Sequence, residues 1–498
     1  MTAAPRKPTF RTKLAIGLGY VASSGSHNVV HVLAHCVYNV TLGVSPGLVG
    51  VLLCVQRIWD AALDPVAGHV SDNVRSPLGR RRPLMALAIV PLSLSFAALW
   101  LFPAGASHRT LFLYLLTASL LFCTARSFYG IPLLGLQAEA ADGYHERTRI
   151  SGFTQIAGAA FAFLPNWLFA FAQSPIFHGV IPGVRTMALA LAALFLIAGL
   201  APILLARESF DAKSARAQPR LRLKDSLRLV LGNRPLARIL GMQLAASFGY
   251  NVVGVLGLYA TFYYVYRGDI RHAAVMQGWA GTAFQFAAIG SVLAYRRLSE
   301  RIGKRATLQI ALGVLMAGSA AKFILFQPAH PWLIVFIWAA NGAGITGVTT
   351  LALSMLADTV DLGELQSGAR LEGAYVSIYC LSDKVGYAAG ALLSGFILSG
   401  IGFDVRLGGA QADETLWLIR LLYAVVPLAG ALAAAIVIHG YRLTERDANE
   451  TRQRLQLARN ARSQTVVAGG ADPGCPAFDA EARGDHALLP TDPIPISD

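Results

Sequence analysis

Long runs of apolar residues, separated by short polar segments, follow one another along most of the chain. About twelve of these runs reach roughly 20 residues, the length that crosses a hydrocarbon layer of ~30 Å, and they lie between residues 12 and 441. The pattern predicts an all-α integral membrane protein with twelve transmembrane helices, near residues 12–40, 46–70, 83–103, 108–140, 150–173, 183–206, 236–265, 272–297, 306–326, 331–356, 372–400 and 413–441.

A polar stretch rich in Arg, Lys and Ser divides the apolar runs into two sets of six. We therefore expect an N-terminal six-helix bundle over residues 1–206, a cytoplasmic linker over 207–235 and a C-terminal six-helix bundle over 236–441. The loops after helices two and eight both contain basic turns, the weak repeat that two related halves would leave, with a binding site between them. We expect the polar segment 442–498 to be a cytoplasmic, largely disordered tail.

Composition and charge agree with a membrane location. Hydrophobic residues make up 55% of the chain and charged residues only 14%, whereas ordinary soluble domains carry about 25% charged residues. The formal net charge of +14 could indicate a nucleic-acid partner, but the basic residues lie in short segments between apolar runs. Segments 41–46 and 327–331 contain no Lys or Arg, so the positive-inside rule places both termini in the cytoplasm. We expect the lipid of a plasma (bacterial inner) membrane as surroundings, and no nucleic-acid partner.

Neither the cysteines nor a search for catalytic motifs indicates an enzyme. The five cysteines form no CxxC pair, and four lie inside apolar runs, so neither a disulfide framework nor a metal site is expected from Cys36, Cys54, Cys123, Cys380 and Cys475. We find no nucleophile elbow, phosphate loop or metalloprotease motif. The sequence therefore predicts a protein that is not an enzyme and needs no cofactor.

Two carboxylates inside the second apolar run are the strongest candidates for function. Asp60 and Asp64 stand four residues apart, which puts both on one face of a helix. Charges inside a bilayer cost a few kcal/mol or more each, so an intramembrane acid is a functional candidate by default. Together the two acids could hold Na⁺, or one of them could carry a proton. The alternative is that they only form salt bridges with Arg57 or a neighbouring helix.

Two basic residues lie equally deep in other helices. Lys384 lies about twelve residues into helix eleven, near mid-membrane, and could act as a counter-charge to the two acids or pair locally with Asp383. Arg126 lies inside helix four, where its guanidinium could bind a carboxylate or phosphate of a substrate, or pair with Asp60 or Asp64.

One face of helix one is polar. His27, His31 and His35 follow one another at four-residue steps, with Ser24 one turn earlier, so this face should line an aqueous cavity. The histidines could form a proton relay, a site for an acidic substrate or, least favoured, a metal site. Neutral, hydrogen-bonded imidazoles that merely line the cavity are the leading alternative.

Three stretches resemble one family of membrane carriers. They are residues 57–65, which run into 75–83, residues 357–364, and residues 373–386 around Lys384. On these motifs the chain resembles the glycoside–pentoside–hexuronide:cation symporters, the melibiose permease-like family of the major facilitator superfamily. The resemblance covers essentially residues 12–441.

The resemblance implies roles for particular residues. In that family the paired acids of helix two bind Na⁺ or H⁺, a hydroxyl residue of helix four assists and a lysine of helix eleven contributes. The matching positions here are Asp60, Asp64, Ser127 and Lys384. The resemblance thus implies a cation-binding and coupling site made of these four residues.

Departures from the family pattern affect the substrate and the ion. Two acids that bind sugar in the family correspond here to Ser24 and Gly130, and the family arginine of helix five corresponds to Gln155. Leu63 occupies the position of an amide that binds sodium, and without it too few oxygens remain for a hard cation that takes about six, so proton coupling is favoured over sodium coupling.

These observations predict a secondary active transporter. We expect cation-coupled symport, with H⁺ favoured over Na⁺, of a sugar, glycoside or uronide-like solute by alternating access. Loss of two cavity acids, together with Arg126 and the histidine face, leaves an acidic derivative of a saccharide as one option. The alternatives are a carrier of lysolipid or another anionic amphiphile and, from a different class, a transport-inactive membrane scaffold or sensor.

Overall fold

The computed structural model describes residues 9–74, 76, 79–103, 105–140, 144–206, 232–367, 372–441, 443 and 445–468. The regular structure of these residues is helical, and they contain no strand. In chain order the helices are α1, which runs through Phe10–Tyr20, Val21–Gly25, Ser26–Ala34 and His35–Thr41; α2, Pro46–Asn73; α3, Arg82–Ala98; α4, His108–Glu139; α5, in two pieces, Tyr144–Phe161 and Pro165–Ala172; α6, Val180–Leu205; α7, Arg234–Tyr259 continued by Ala260–Val265; α8, Ile270–Ile302; α9, Lys304–Leu325; α10, Ile334–Ser367; α11, Glu372–Gly400; α12, Asp413–His439; and α13, Glu445–Ala468.

Side chains that accept hydrogen bonds from the first turn mark the start of several helices. Ser45 accepts from the backbone N–H of Leu48 at 3.4 Å, and Pro46 occupies the first position of α2, where its missing N–H leaves no bond unmade. Asn233 caps α7 in the same way, with its Oδ1 3.1 Å from the backbone nitrogen of Leu236. Local sequence therefore fixes where these helices begin.

The helices agree with the predicted pattern of spans. Eight of the described helices are long and apolar enough to cross a membrane, namely α2, α4, α5, α6, α7, α9, α10 and α12. The apolar helix α3 has 17 residues, α1 is interrupted by π-helical turns, and α8 and α11 carry polar side chains such as Gln285 and Lys384. All twelve predicted segments are helical in the part of the chain that the structure describes, which confirms the all-α class.

Two helices depart from the continuous form that was predicted. In α1, Val21–Gly25 and His35–Thr41 are π-helical, so the face of the helix rotates along its length. The prediction of one helix over 150–173 is wrong, because the chain leaves the helix after Phe161 and starts again at Pro165. Proline has no N–H to donate and its ring clashes with the preceding turn, which favours a break there.

The first twelve helices pack as two groups that follow their order along the chain. In the first group α4 packs against α2 and α3, and α6 packs against α1 and α3. In the second group α10 packs against α8 and α9, and α12 packs against α7 and α9. The pairs α2–α11 and α5–α8 join the two groups. Residues 207–231 lie outside the described part, so the exact extent of the linker stays a prediction.

The two halves approach most closely at the end where residues 41–46 join α1 to α2; we call this the closed end. A Cβ atom added to Gly50 would lie 2.7 Å from the carbonyl oxygen of Ala391, and one added to Gly395 would lie 2.6 Å from that of Pro46. Both distances are too short for a side chain. Glycine therefore allows the backbones of α2 and α11 to touch here.

Hydrogen bonds between the halves reinforce the closed end. The Tyr259 hydroxyl of α7 donates to Oδ1 of Asn39 in α1 at 2.6 Å, and Nε1 of Trp167 in α5 donates to the Thr282 hydroxyl of α8 at 2.9 Å. One apolar cluster includes buried residues of both halves, whereas a second, around α9 and α10, contains only second-half residues. The halves are thus joined more tightly at this end.

Replacing Gly50 by alanine is expected to destabilise the protein. The added methyl group would meet the backbone of α11, which cannot move aside as a flexible side chain can, and overpacking of this kind typically costs about 1–3 kcal/mol. The control is Gly290→Ala in α8, where a Cβ meets nothing within 4 Å. The thermal unfolding midpoint of the purified protein should fall for the first variant and not for the second. Equal midpoints would show that the α2–α11 contact adapts.

The start of the predicted tail is a helix, α13, over Glu445–Ala468, so the expectation of disorder does not hold for these residues and stays a prediction for those that follow. Arg452 of α13 contacts Asp358 of α10 at 2.5 Å, and Lys304 at the start of α9 contacts the other oxygen of Asp358, also at 2.5 Å. A nearly buried carboxylate shared by two cations anchors α13 to the second half. Residues 469–498 lie outside the described part of the chain.

Candidate functional site

Two carboxylates lie just past the middle of the 28-residue α2. Asp60 is 1% exposed, and the side chain of Asp64, one turn further on, is 30% exposed. Pro65 follows within the helix without ending it. The four-residue spacing therefore presents one buried and one accessible carboxylate on the same face, as the sequence predicts.

Helix α11 supplies a shared cation. Lys384, near the middle of its 29-residue helix, places Nζ 2.5 Å from Oδ2 of Asp64 and 3.2 Å from Oδ2 of Asp60. The longer contact is an ion pair without hydrogen-bond geometry, because Asp60 Oδ2 is buried and has no hydrogen-bond partner. This lysine links the two halves across the middle of the molecule. The alternative that Lys384 pairs only with Asp383 is wrong.

Helix α4 supplies a second cation and a hydroxyl. Arg126 forms a salt bridge with Oδ1 of Asp60, and the Ser127 hydroxyl lies 3.0 Å from Oδ1 of Asp64 and 3.3 Å from Oδ1 of Asp60. Buried charges of opposite sign, packed with hydrogen-bond donors, offset their loss of hydration. The structure therefore brings together the four residues Asp60, Asp64, Ser127 and Lys384, and it adds Arg126 as a partner of Asp60.

Asp383 faces a different neighbour from Lys384. Its Oδ1 accepts hydrogen bonds from Nε2 of Gln243 and the hydroxyl of Ser247, both at 2.9 Å, on α7. Adjacent residues on a helix point about 100° apart, so Asp383 turns toward α7 while Lys384 turns toward α2. Asp383 lies beside the cluster and does not pair with its cations.

The histidine face of α1 points toward the second half. The ring of His31 lies 5.0 Å from that of Tyr387 in α11, and Nδ1 of His35 lies 3.5 Å from the hydroxyl of Tyr259 in α7. His27 differs from both, since its two ring nitrogens are buried without a hydrogen-bond partner. The hydrogen-bonded imidazoles that the leading alternative expected are therefore not found at His27.

The three remaining predicted cavity positions contribute no contact to the cluster. A Cβ atom at Gly130 would lie 2.6 Å from the Ser23 hydroxyl oxygen, so α1 occupies the space that a side chain would need. Ser24 is half-buried on α1 and Gln155 is exposed on α5, and in the described residues neither hydrogen-bonds to the ion-pair cluster. Close packing of α1 and α4 thus accounts for a glycine at 130.

Arg57 stands beside the cluster in a way that the sequence did not reveal. Its guanidinium carbon lies 3.9 Å from the ring centroid of Tyr387, and its Nε is buried without a hydrogen-bond partner. The predicted alternative named Arg57 or a neighbouring helix as salt-bridge partner of the α2 acids: neither acid lies within salt-bridge distance of Arg57, but both form salt bridges with neighbouring helices, through Arg126 and Lys384. The sequence did contain a signal that could have marked Arg57 as a candidate site residue, because an arginine one turn before two intramembrane acids is itself an intramembrane charge.

A second buried cation was also missed. Lys322 of α9 is fully buried. Its Nζ donates a hydrogen bond to the backbone carbonyl oxygen of Tyr423 at 3.1 Å and lies 4.0 Å from the centroid of the Tyr423 ring. A carbonyl and an aromatic face together replace part of the hydration of the ammonium group. Its position, within the last turn of α9, separates it from the central cluster.

The comparison with known families decides what kind of protein carries this cluster. Residues 15–445 match the family described as MFS/sugar transport protein. The chain belongs to this family. The match spans α1 to α12, so every helix that contributes to the central cluster lies inside it. The resemblance stated from the motifs is therefore confirmed.

Curated relatives of this MFS/sugar transport protein are similar over nearly their whole lengths. The putative glycoside/cation symporter YagG of Escherichia coli (strain K12) is 24% identical, over 92% of this chain and 97% of its own. The glucuronide carrier protein homolog of the same strain is 27% identical, over 89% of this chain and 94% of its own. The whole helical unit, rather than one bundle, is thus shared.

Solved structures agree on the fold. A bacterial homolog of the human lysosomal transporter Spinster, in an inward-facing and unoccupied conformation, superposes with a TM-score of 0.66 at 14% identity, covering 88% of this chain and 97% of that one. At this identity the likeness concerns the fold alone. It confirms the major facilitator architecture for this family member.

Proposed function

We propose that this protein is a secondary active transporter that couples movement of a saccharide-type solute, a sugar, glycoside or uronide, to a cation held at Asp60 and Asp64. The family membership and the names of the relatives, one a glycoside/cation symporter and one a glucuronide carrier homolog, support the class of activity. Asp60, Asp64, Ser127 and Lys384 carry the coupling.

The observation that carries this proposal is the position of the Lys384 ammonium between the two carboxylates. It joins α11 of the second half to α2 of the first at 2.5 Å from Asp64. A cation bound at the carboxylates would compete with Lys384 for the same oxygens and so weaken this link. Occupancy of the site thereby changes how strongly the halves are held together, which is what alternating access requires.

Proton coupling fits the ligand set better than sodium coupling. The oxygens at the site come from two carboxylates and the Ser127 hydroxyl, while Leu63, between the acids on α2, provides none. A hard cation favours a shell of about six oxygens, and two basic side chains already occupy part of this space. Oδ2 of Asp60, which has the Lys384 ion pair but no hydrogen bond, needs by contrast only one proton.

We propose that the closed end faces outward and both termini lie in the cytoplasm of a bacterium. Basic residues flank the opposite end, for example Arg80 and Arg81 after α2 and Arg301 at the end of α8, as the positive-inside rule demands. The side chains of Asp64 and Lys384 keep exposed fractions of 30% and 19%, so they remain reachable. We therefore propose the cytoplasmic side as the route by which the central cluster is reached in this conformation.

Gradient-driven uptake tests this function. A screen for thermal stabilisation of the purified protein by saccharides, uronides and lysolipids, at two pH values, selects the solute. In proteoliposomes an inward proton gradient should drive its accumulation, and replacing Na⁺ by choline should change nothing. Accumulation driven by Na⁺ without a proton gradient would show that Na⁺, and not H⁺, is the coupling ion. Selective stabilisation by lysolipids would replace the saccharide class, and the absence of any solute uptake would contradict the transporter proposal.

A further inference from the structure

We infer that Arg57, His27 and Tyr387 form a subsite that binds a carboxylate on the transported solute. The inference rests on the proposed transport function and narrows its substrate class to acidic saccharides. It concerns a place next to the coupling site, made of residues from α1, α2 and α11, and it assigns a ligand role to Arg57. The charges, the unpartnered donors and the aromatic platform support it in turn.

The other charged groups in the middle of the molecule already have partners. Arg126 pairs with Asp60, and Lys384 pairs with Asp64 and lies near Asp60. No carboxylate in the described ranges, with their gaps, lies within salt-bridge distance of Arg57. A guanidinium without a salt-bridge contact at this depth costs several kcal/mol unless something satisfies it, so Arg57 is placed to receive an anion.

Unpartnered donors lie around the same position. Nε of Arg57, Nε of Arg126 and both ring nitrogens of His27 are buried without hydrogen-bond partners. His27 lies one helical turn before His31, whose ring is 5.0 Å from that of Tyr387, so both histidines share the face of α1 beside this ring. Buried polar atoms are normally satisfied, and the donors left open here, Nε of two arginines and one N–H of His27, are available to a ligand with acceptor oxygens. A neutral imidazole can donate one N–H to such an oxygen.

Tyr387 orients the guanidinium of Arg57 for this task. The guanidinium carbon lies 3.9 Å from the ring centroid, a cation–π distance, and a guanidinium held against a ring can still direct N–H groups at its edge to a second ligand. Those groups form the planar fork that binds both oxygens of a carboxylate. Since Tyr387 belongs to the second half and Arg57 to the first, an anion bound here sits at the interface that must rearrange.

The subsite and the coupling site should assist one another. The cluster and the neighbouring Arg57 together hold three cations, Arg57, Arg126 and Lys384, against the two carboxylates of α2, which leaves one net positive charge when the histidines are neutral. A cation bound at Asp60 and Asp64 raises that charge to two and strengthens attraction of a solute carboxylate. By linkage, the bound carboxylate strengthens cation binding by the same factor.

Matched pairs of sugars test the inference at fixed pH. Methyl β-glucuronide and methyl β-glucoside differ only in a carboxylate against a hydroxymethyl group, and the corresponding galacturonide and galactoside form a second pair. Binding is measured by thermal stabilisation of the purified full chain. We expect the acid of at least one pair to bind the unmodified protein more tightly, and Arg57→Gln to weaken the acid about 10- to 100-fold, the range for a charged hydrogen bond, with the neutral sugar unchanged.

Two further variants make the result specific. Arg57→Lys keeps the charge but loses the fork, so it should lie between the unmodified protein and Arg57→Gln. Arg185→Gln is the matched control, because Arg185 of α6 also lies over an aromatic ring, Phe102, and also has a buried, unpartnered Nε. It should leave the preference for the acid intact.

The outcomes separate this inference from the proposed function. Equal responses to the acidic and neutral members of both pairs, or a preference that survives Arg57→Gln, overturn the carboxylate subsite. Gradient-driven uptake of a neutral sugar would at the same time leave the transport function standing. Absence of uptake for every solute selected by the screen contradicts the transport function itself.

Discussion

Asp60→Asn is expected to abolish uphill accumulation of the solute while downhill exchange survives. Asparagine keeps the size of the side chain but cannot take up a proton or hold a cation as a carboxylate does, so solute movement loses its link to the gradient. Asp64→Asn should act in the same direction. Gradient-driven uptake and counterflow in proteoliposomes measure the two activities separately.

Stability must be followed in the same experiment. Asp60→Asn leaves Arg126 without its carboxylate, and removing one partner of a buried pair typically costs about 3–5 kcal/mol. Asp64 is more exposed, so Asp64→Asn should unfold less readily and provides the safer variant. The control is Glu300→Gln, an exposed acid at the end of α8 that pairs with Arg296. Full uphill transport by both aspartate variants would refute the assignment of the coupling site.

Lys384→Met is expected to destabilise the protein at neutral pH and to restore much of the lost stability as the pH falls. Without the ammonium group, Asp64 loses its partner at 2.5 Å, and two carboxylates on one face of α2 repel each other. Protonation of one carboxylate removes that repulsion. Breaking a fully buried ion pair typically costs about 3–5 kcal/mol of unfolding free energy. Because Asp64 and Lys384 are both partly exposed, the expected loss lies below that range.

A double-variant cycle makes this prediction specific. Adding Asp64→Asn to Lys384→Met removes the unpaired charge, so the double variant should be more stable at neutral pH than Lys384→Met alone. Unfolding midpoints of the four proteins, measured at neutral and acidic pH, give the coupling between the two residues. Additive effects at both pH values would mean that Lys384 does not act through Asp64.

The sequence predicted how deep in the membrane the site lies better than it predicted the contacts within the site. Asp60, Asp64 and Lys384 were found because an ionisable residue inside an apolar run is rare, and counting residues at 1.5 Å each gives its depth. Ser127 came only from the family resemblance, since a serine within a helix carries no comparable signal. The structure places all four together, which depth alone does not guarantee.

What could not be predicted is the direction in which each side chain turns. The sequence left the partner of Arg126 undecided between an anionic substrate and one of the α2 acids. Only the packing of α4 against α2 determines that it pairs with Asp60. Arg57 precedes Asp60 by three residues and so shares its face, yet its guanidinium turns to Tyr387 across the interface. Periodicity describes one helix at a time, and the rotation of neighbouring helices depends on contacts far apart in sequence.

The break in α5 and the helix after residue 444 show the same limit. Pro165 carried a local signal, but proline occurs within α2 and α4 without ending either helix, so a break there could not be inferred from proline alone. The polar α13 has no apolar stripe of the kind that marks a buried helix. Its position depends on Arg452 meeting Asp358, a contact between residues 94 positions apart.

Simultaneous recording of ion and solute movement tests the central claim most directly. Solute is added to de-energised proteoliposomes, and proton and sodium electrodes follow the medium while labelled solute uptake is counted. Solute entry should be accompanied by proton uptake, and the Asp60→Asn, Asp64→Asn double variant should move solute without any ion. Ion movement that persists in the double variant, or solute entry in the unmodified protein without ion movement, would contradict the account.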